Sequence, residues 1–66
     1  MKIRVNGKEI TVDDGTTILS FLNLKGINPS AVVVEYNYEI PQRDMWGEIF
    51  LKENDNLEIV KFIGGG

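Results

Sequence analysis

Two short runs of alternating apolar and polar residues flank the dipeptide Asn6-Gly7. Ile3 and Val5 alternate with basic side chains before it, and Ile10 and Val12 alternate with polar side chains after it. Asn-Gly supplies the two positive φ angles of a type I′ turn, whose twist matches that of two antiparallel strands. The period of two gives each strand one apolar face. This segment therefore predicts a β-hairpin whose apolar face must be covered by another element.

A short helix is predicted after the turn-like residues 13–15. Thr17 is a good N-cap, Gly26 suits the left-handed position that follows a helix C-terminus, and Pro29 cannot continue a helix. Between these signals, apolar residues recur at the spacing of one helical face: Ile18, Leu19, Phe21 and Leu22. We therefore expect a helix that starts at the threonine cap and ends near residue 25.

Three further segments favour extended backbone. The β-branched run at 32–34 predicts a strand buried on both faces, and Pro41 indicates a short edge segment because it cannot donate to a central ladder. Residues 57–63 predict the last strand, after a polar turn at 53–56. Periodicity is weak from 42 to 52, where the apolar side chains are expected to be small anchors that cover the core: Met45, Trp46, Ile49, Phe50 and Leu51.

This order of elements predicts an α+β roll, in which one helix packs across one face of a mixed sheet of four to five strands. The first and last strands are expected to be parallel neighbours, joined through the helical crossover. A chain of 66 residues has room for one small domain. We place that domain at residues 1–63 and treat residues 64–66 as a flexible glycine tail.

Composition excludes several classes of function. The sequence has no cysteine and no histidine, so it lacks a thiolate nucleophile, an imidazole base and soft metal ligands. Its net charge of −3 is the reverse of the basic surface that binds nucleic acid. No apolar run approaches the ~20 residues of a membrane span. We expect a cytoplasmic chain that binds no metal, cofactor, nucleic acid or membrane, and an independent enzyme is the least favoured interpretation.

The last predicted strand is apolar on both faces. Leu57 and Ile59 share one face, and Val60 lies with Phe62 on the other. If the helix covers only one face of the sheet, Val60 and Phe62 form an exposed apolar patch suited to docking a partner. The alternative is that the segment 42–52 covers them.

Three glycines follow that strand. Such a run cannot pack, and fully extended it reaches roughly 10 Å beyond the strand. Gly64 and Gly65 can thread a channel too narrow for side chains and deliver the carboxylate of Gly66 into another protein's active site. The alternative is a frayed terminus or a cloning remnant. A carboxylate becomes an acyl donor only after activation, for example by ATP, and the sequence contains no Gly-rich phosphate loop of Walker type, so a partner must activate it.

The sequence resembles the ThiS-type sulfur carrier proteins of thiamine biosynthesis, which are small ubiquitin-like β-grasp proteins related to the molybdopterin-pathway carrier MoaD. The resemblance runs over the whole chain and is most specific at its end. It is carried by five blocks: residues 3–7, Thr17-Ile18 with Phe21-Leu22, residues 32–37, Pro41 through Arg43 to Trp46, and residues 57–66. Three positions depart from the family pattern: Tyr38 where glycine is frequent, Pro41 before Gln42 rather than directly before the arginine, and Asn54 at a common turn glycine.

The resemblance implies a β-grasp fold and a protein cosubstrate rather than a catalyst. A ThiF-like enzyme would adenylate Gly66 with ATP, and a cysteine desulfurase or another donor would supply the sulfur that makes it a thiocarboxylate. A ThiG-like synthase would then transfer the sulfur into the thiazole ring. On this analogy Gly64 and Gly65 line the partner's channel, and Val60 and Phe62 dock. Two alternatives stay open: a ubiquitin-like modifier or a carrier for another pathway such as molybdopterin, and a plain interaction module.

Overall fold

The computed structural model describes residues 1–62. It contains four strands, β1 (Lys2–Val5), β2 (Lys8–Thr11), β3 (Val32–Tyr36) and β4 (Asn56–Lys61), and one helix, α1 (Ile18–Leu24). Two single-turn 3-10 helices lie at Pro29–Ala31 and Arg43–Met45. Ile63 and the glycines at 64–66 lie outside the described residues, so the boundary drawn between residues 63 and 64 stays a prediction.

The strands form one mixed sheet in the order β2-β1-β4-β3. β1 pairs antiparallel with β2 across the hairpin, and β4 lies between β1 and β3, parallel to the first and antiparallel to the second. The parallel pairing of the first and last strands is as expected. The α+β prediction is confirmed, with one helix on one face of a sheet that has four strands within residues 1–62.

The predicted caps delimit α1. The Thr17 hydroxyl accepts a hydrogen bond from the Ser20 N–H at 3.0 Å, and the Ser20 hydroxyl accepts one from the Thr17 N–H at 2.8 Å. At the other end Gly26 has φ +70°, the left-handed conformation that its lack of a Cβ makes inexpensive. The helix therefore begins and ends where its sequence signals place it.

The core lies between α1 and the inner face of the sheet. Its buried apolar residues come from α1, from every strand except β2 and from the segment after β3: Ile3, Ile18, Phe21, Leu22, Val32, Val34, Trp46, Leu51 and Leu57. Side chains alternate along each strand, so a helix on one side buries only one set of them. The prediction that β3 is buried on both faces was wrong, since Val33 is only half-buried while Val32 and Val34 are fully buried.

The chain after β3 differs from the sequence prediction in two ways. The edge segment near Pro41 is not a strand; a single bridge joins Tyr36 to Glu39. Of the five expected anchors, Trp46 and Leu51 are buried, whereas two are exposed. Backbone hydrogen bonds between this segment and the N-terminal end of α1 hold it in place, while the side chains of Met45 and Phe50 are exposed to solvent.

Candidate functional site

The end of β4 is the part of the described structure nearest to the glycine tail. Phe62, the last described residue, continues the ladder beyond β4 because its N–H donates to the carbonyl of Ala31 at 2.9 Å. This hydrogen bond and the pairing of Lys61 with Val32 tie the chain to the start of β3. The point at which the predicted tail leaves the fold is therefore held by backbone hydrogen bonds rather than by side chains alone.

Val60 and Phe62 are exposed on the outer face of the sheet. Their side chains retain 61% and 54% of their accessible surface, and the segment 42–52 does not cover them. Val33, directly opposite Val60 in the β3–β4 register, extends the same apolar surface. We call Val33, Val60 and Phe62 the outer patch. Its exposure agrees with the sequence-based expectation, while its use in docking stays a prediction.

Arg43 ties the outer patch to the rest of the fold. Its guanidinium donates to the carbonyls of Pro29 and, at 3.1 Å, Val32. The same group lies 4.9 Å from the centre of the Trp46 ring and 6.0 Å from that of Phe62, within the range of cation–π attraction. The sequence pattern assigns Arg43 no role of its own. An arginine two residues after a proline and three before the only tryptophan is a weak signal for such stacking.

Asn6 holds the other side of β4. Its side-chain amide donates to the Ile59 carbonyl at 3.3 Å, and its side-chain oxygen accepts from the Ile59 N–H at 2.7 Å. Asn6 thus does two things: it adopts the positive φ of the hairpin turn, and it pairs with β4 beyond the point where β1 ends. The sequence indicated only the first.

A polar cluster lies at the opposite end of β4. The buried carboxylate of Asp55 accepts hydrogen bonds from the Tyr36 hydroxyl at 2.8 Å, the Asn37 side-chain amide at 3.1 Å and the Lys52 N–H at 2.7 Å. Burial, together with this hydrogen bond and the carboxylate's negative charge, raises the pKa of Tyr36 to about 12. No buried side-chain polar atom of this cluster lacks a hydrogen-bond partner within residues 1–62. The cluster therefore has a structural role: it joins the end of β3 to the turn before β4.

Within residues 1–62 no group of three or more acidic side chains is arranged to hold a metal ion. The same residues include no helix with the length and apolar character needed to cross a membrane. The end of β4 offers an anchor held by backbone hydrogen bonds and an exposed apolar surface, directly before residues 63–66 in the sequence. Those four residues, which include Gly64, Gly65 and Gly66, lie outside the described part of the chain.

Several known proteins are similar in sequence to this chain. The sulfur carrier protein ThiS of Bacillus subtilis is 35% identical over 65 residues, which cover 97% of this chain and 98% of that protein. A thiazole synthase of Magnetococcus marinus is 41% identical over 66 residues, and one of Paramagnetospirillum magneticum is 36% identical. The chain spans only 20% of the length of these two relatives.

A solved structure has the same fold. The crystal structure of the thiamine biosynthesis protein ThiS from Geobacter metallireducens superposes with a TM-score of 0.81 at 36% identity, with full coverage of both chains. The model of the ThiS family matches residues 3–66, which include the glycine run. A match over almost the whole sequence and a solved relative with the same fold lead to one conclusion: the chain belongs to the ThiS family.

Proposed function

We propose that this chain is a sulfur carrier protein for thiamine biosynthesis and that Gly66 is the residue that carries the sulfur. The observation that supports this most directly is the similarity to the Bacillus subtilis carrier over 97% of this chain, together with a family model whose match, residues 3–66, includes the terminal glycines. The anchored end of β4 supports it physically, because a tail must leave a fixed point in a fixed direction to enter a partner's active site. The proposal makes the chain a protein cosubstrate rather than an enzyme.

The chemistry follows from the weakness of a carboxylate as an electrophile. The Gly66 carboxylate attacks the α-phosphate of ATP in a ThiF-like enzyme and expels pyrophosphate. The terminal sulfur of a persulfide on a cysteine desulfurase or another donor then attacks the acyl adenylate and displaces AMP, which gives an acyl disulfide. A thiol cleaves that disulfide, leaving a thiocarboxylate on Gly66 and a new disulfide on the donor side. In this scheme the chain itself binds no cofactor, because ATP belongs to the partner's site, and the proposed location of the reaction is the cytoplasm.

The acceptor in this proposal is a ThiG-like thiazole synthase. The similarity to segments of two thiazole synthases supports the choice, because a carrier and its acceptor that occur in one polypeptide are expected to work together. In the proposal, Gly64 and Gly65 pass through the partner's channel, where a side chain would not fit. Val60 and Phe62 dock against apolar surface at its entrance.

Intact mass spectrometry tests the modification. The full chain is incubated with the adenylating enzyme, ATP, a desulfurase and cysteine, and we expect a mass gain equal to replacing one oxygen by sulfur, located at Gly66. A variant without Gly65 and Gly66 should stay unmodified while its thermal unfolding is unchanged. An unchanged mass for the full chain would contradict the proposal, and chain–lysine conjugates in cell extract would favour a ubiquitin-like modifier instead.

A substitution in the outer patch tests docking separately. Val60→Asp should raise the KM of the adenylating enzyme for the chain at least about fivefold, because it places a carboxylate against the partner's apolar surface. The few residues that dominate an interface each cost more than about 1 kcal/mol when they are lost. Ile40→Asp is the matched control, since Ile40 is 70% exposed and lies outside the patch. Equal KM values for the two variants would remove Val60 from the docking surface.

A further inference from the structure

An apolar groove opens on the inner face of the sheet, where α1 ends too early to cover it. The helix has seven residues, and past its end the strands continue without cover. The groove has a volume of about 430 Å³, enough for one or two large side chains. Its floor is formed by buried and half-buried apolar residues from the sheet, the helix and the loop after it: Val5, Ile10, Phe21, Ile27, Val32 and Ile59.

Three lysines surround this floor. Lys8 shares the inner face of β2 with Ile10, Lys61 shares the inner face of β4 with Ile59, and Lys25 follows the last turn of α1. Two of them therefore occupy strand positions at which the pattern calls for an apolar side chain. None of the described residues that line the groove is acidic. Among residues 1–62 the ion pair joins Lys2 to Glu9, and none of these three ammonium groups lies within 4 Å of a carboxylate.

This positive charge stands out against the rest of the molecule. The whole chain carries a net charge of −3, so three lysines without acids on one apolar surface create a local field opposite to the overall one. Lys25 is close to the Phe21 ring, at 5.8 Å from its centre, which keeps its charge at the edge of the apolar floor. A ligand that fits must therefore be apolar in the middle and acidic at its ends.

The walls of the groove are fixed by hydrogen bonds. The two bonds between Asn6 and Ile59 join the hairpin turn to β4. On the other side, the Ile27 N–H donates to the Leu22 carbonyl at 2.9 Å and holds the loop against the helix. Because both walls are held in place before any ligand arrives, a ligand would pay little to order them.

We propose that this groove is a docking site for an acidic-apolar segment of a partner protein, which inserts one apolar side chain and presents carboxylates to Lys8, Lys25 and Lys61. A protein segment is favoured because Lys61 directly precedes Phe62, so the groove and the outer patch flank the same end of β4. A partner that grips this end contacts both faces of the strand. That this partner is the one that handles Gly66 rests on the proposed function; the chemistry of the groove does not.

Nuclear magnetic resonance titration of the ¹⁵N-labelled full chain tests the groove alone. The probe is the peptide acetyl-Glu-Glu-Leu-Phe-Glu-Glu-amide, compared with the same peptide carrying Gln in place of Glu. We expect the acidic peptide to bind about tenfold more tightly and to shift the amide signals of Val5, Ile27 and Ile59. Raising the salt from about 0.05 M to about 0.5 M should remove most of that advantage, because exposed charges are then screened.

Single-charge variants provide the matched comparison. Lys8→Gln should weaken binding of the acidic peptide about threefold or more, while Lys52→Gln, an exposed lysine outside the groove, should leave it unchanged. Four results would overturn the proposal: equal affinity for both peptides, shifts centred on Val33 and Val60, equal effects of the two variants, or the same shifts with inorganic pyrophosphate alone.

A chain that ends at Phe62 tests the remaining occupant. The amide signals of Val5 and Ile27 are compared between this shortened chain and the full chain, both without peptide. If the signals differ, residues 63–66 occupy the groove and the partner proposal is wrong. These binding results are independent of the sulfur-carrier test, so failure of the groove proposal and failure of the proposed function can be told apart. A chain that binds the acidic peptide in the groove but never gains sulfur keeps this inference and loses the carrier role.

Discussion

Within residues 1–62, four residues other than glycine adopt left-handed backbone, and they differ in what that conformation costs. Asn6, Asn37 and Asn54 have φ values of 51°, 48° and 71°, a conformation that asparagine tolerates. Tyr38 also has φ 71°, and its side chain is 80% exposed, so packing gives little in return. Tyr38 is also one of the three positions at which the sequence departs from the ThiS-type pattern. The structure supplies the physical consequence, which is local strain.

Replacing Tyr38 by glycine is therefore expected to stabilise the fold. Tyr38→Gly should raise the free energy of unfolding by about 1 kcal/mol, because glycine adopts positive φ without the Cβ clash. Tyr38→Ala is the control: it removes the ring but keeps the Cβ, so it should show no comparable gain. Urea unfolding measures both, and equal stabilities for the two variants would refute the strain.

Tyr36 gives the fold a dependence on high pH. Its pKa is raised from 10.0 to about 12 by burial and by Asp55, so the folded state keeps the phenolic proton more tightly than the unfolded state. This contribution is fully present below pH 10 and is lost as the pH rises toward 12. Stability should therefore fall across that window.

Tyr36→Phe tests this assignment. At neutral pH it should cost about 1–3 kcal/mol, because a hydrogen bond to a charged group is lost. Between pH 10 and 12 its stability should decline less steeply than that of the wild type. Urea unfolding at several pH values gives the slopes, and parallel slopes for Tyr36→Phe and the wild type would contradict the role of Tyr36.

Among the elements, β4 is held in the sheet by contacts that no local sequence pattern predicts. Its pairing with β1 covers only the pairs Arg4–Asn56 and Val5–Leu57, after which the first strand turns away into the hairpin. The Asn6 side chain takes over the pairing at Ile59. The strand that leads to the tail is thus held on one side by a turn residue and on the other by the full β3 ladder.

Asn6→Gly isolates the side-chain contribution of this turn residue. Glycine keeps the positive φ, so the change should cost only the two hydrogen bonds to Ile59, about 1–2 kcal/mol in total. Hydrogen exchange of the Ile59 amide should become faster. Asn54→Gly is the control because Asn54 has positive φ and its side chain forms no hydrogen bond within the described residues; it should not destabilise. Unchanged Ile59 exchange in Asn6→Gly would contradict this account.

Elements with a local signature were predicted well, and those without one were not. The hairpin turn and both ends of α1 agree with the structure because caps and positive-φ residues act within a few positions. For β3, a run of three valines favours burial on both faces, but the number of layers in the molecule decides that outcome. With a helix on one side only, Val33 meets solvent.

For the whole molecule, the end of β4 presents two different surfaces to a partner. The outer patch is apolar, and the groove on the inner face is apolar with a rim of lysines. A partner that distinguishes this chain from other small proteins can use both, since apolar contact supplies affinity and charge complementarity supplies orientation. The predicted glycine tail then continues from the strand that joins the two surfaces.

The residue pattern alone was enough to specify the class of fold, the parallel pairing of the first and last strands, the apolar outer face of β4 and the family. The first three follow from periodicity, turn residues and the order of the elements, whereas the family rests on the resemblance of particular sequence blocks to known carriers. Three features appear only in the folded chain. Asn6 is hydrogen-bonded to Ile59, and Arg43 lies close to the rings of Trp46 and Phe62. Three lysines also surround one groove: Lys8, Lys25 and Lys61. Each joins residues far apart in sequence, and their distances depend on how the sheet and the helix pack together.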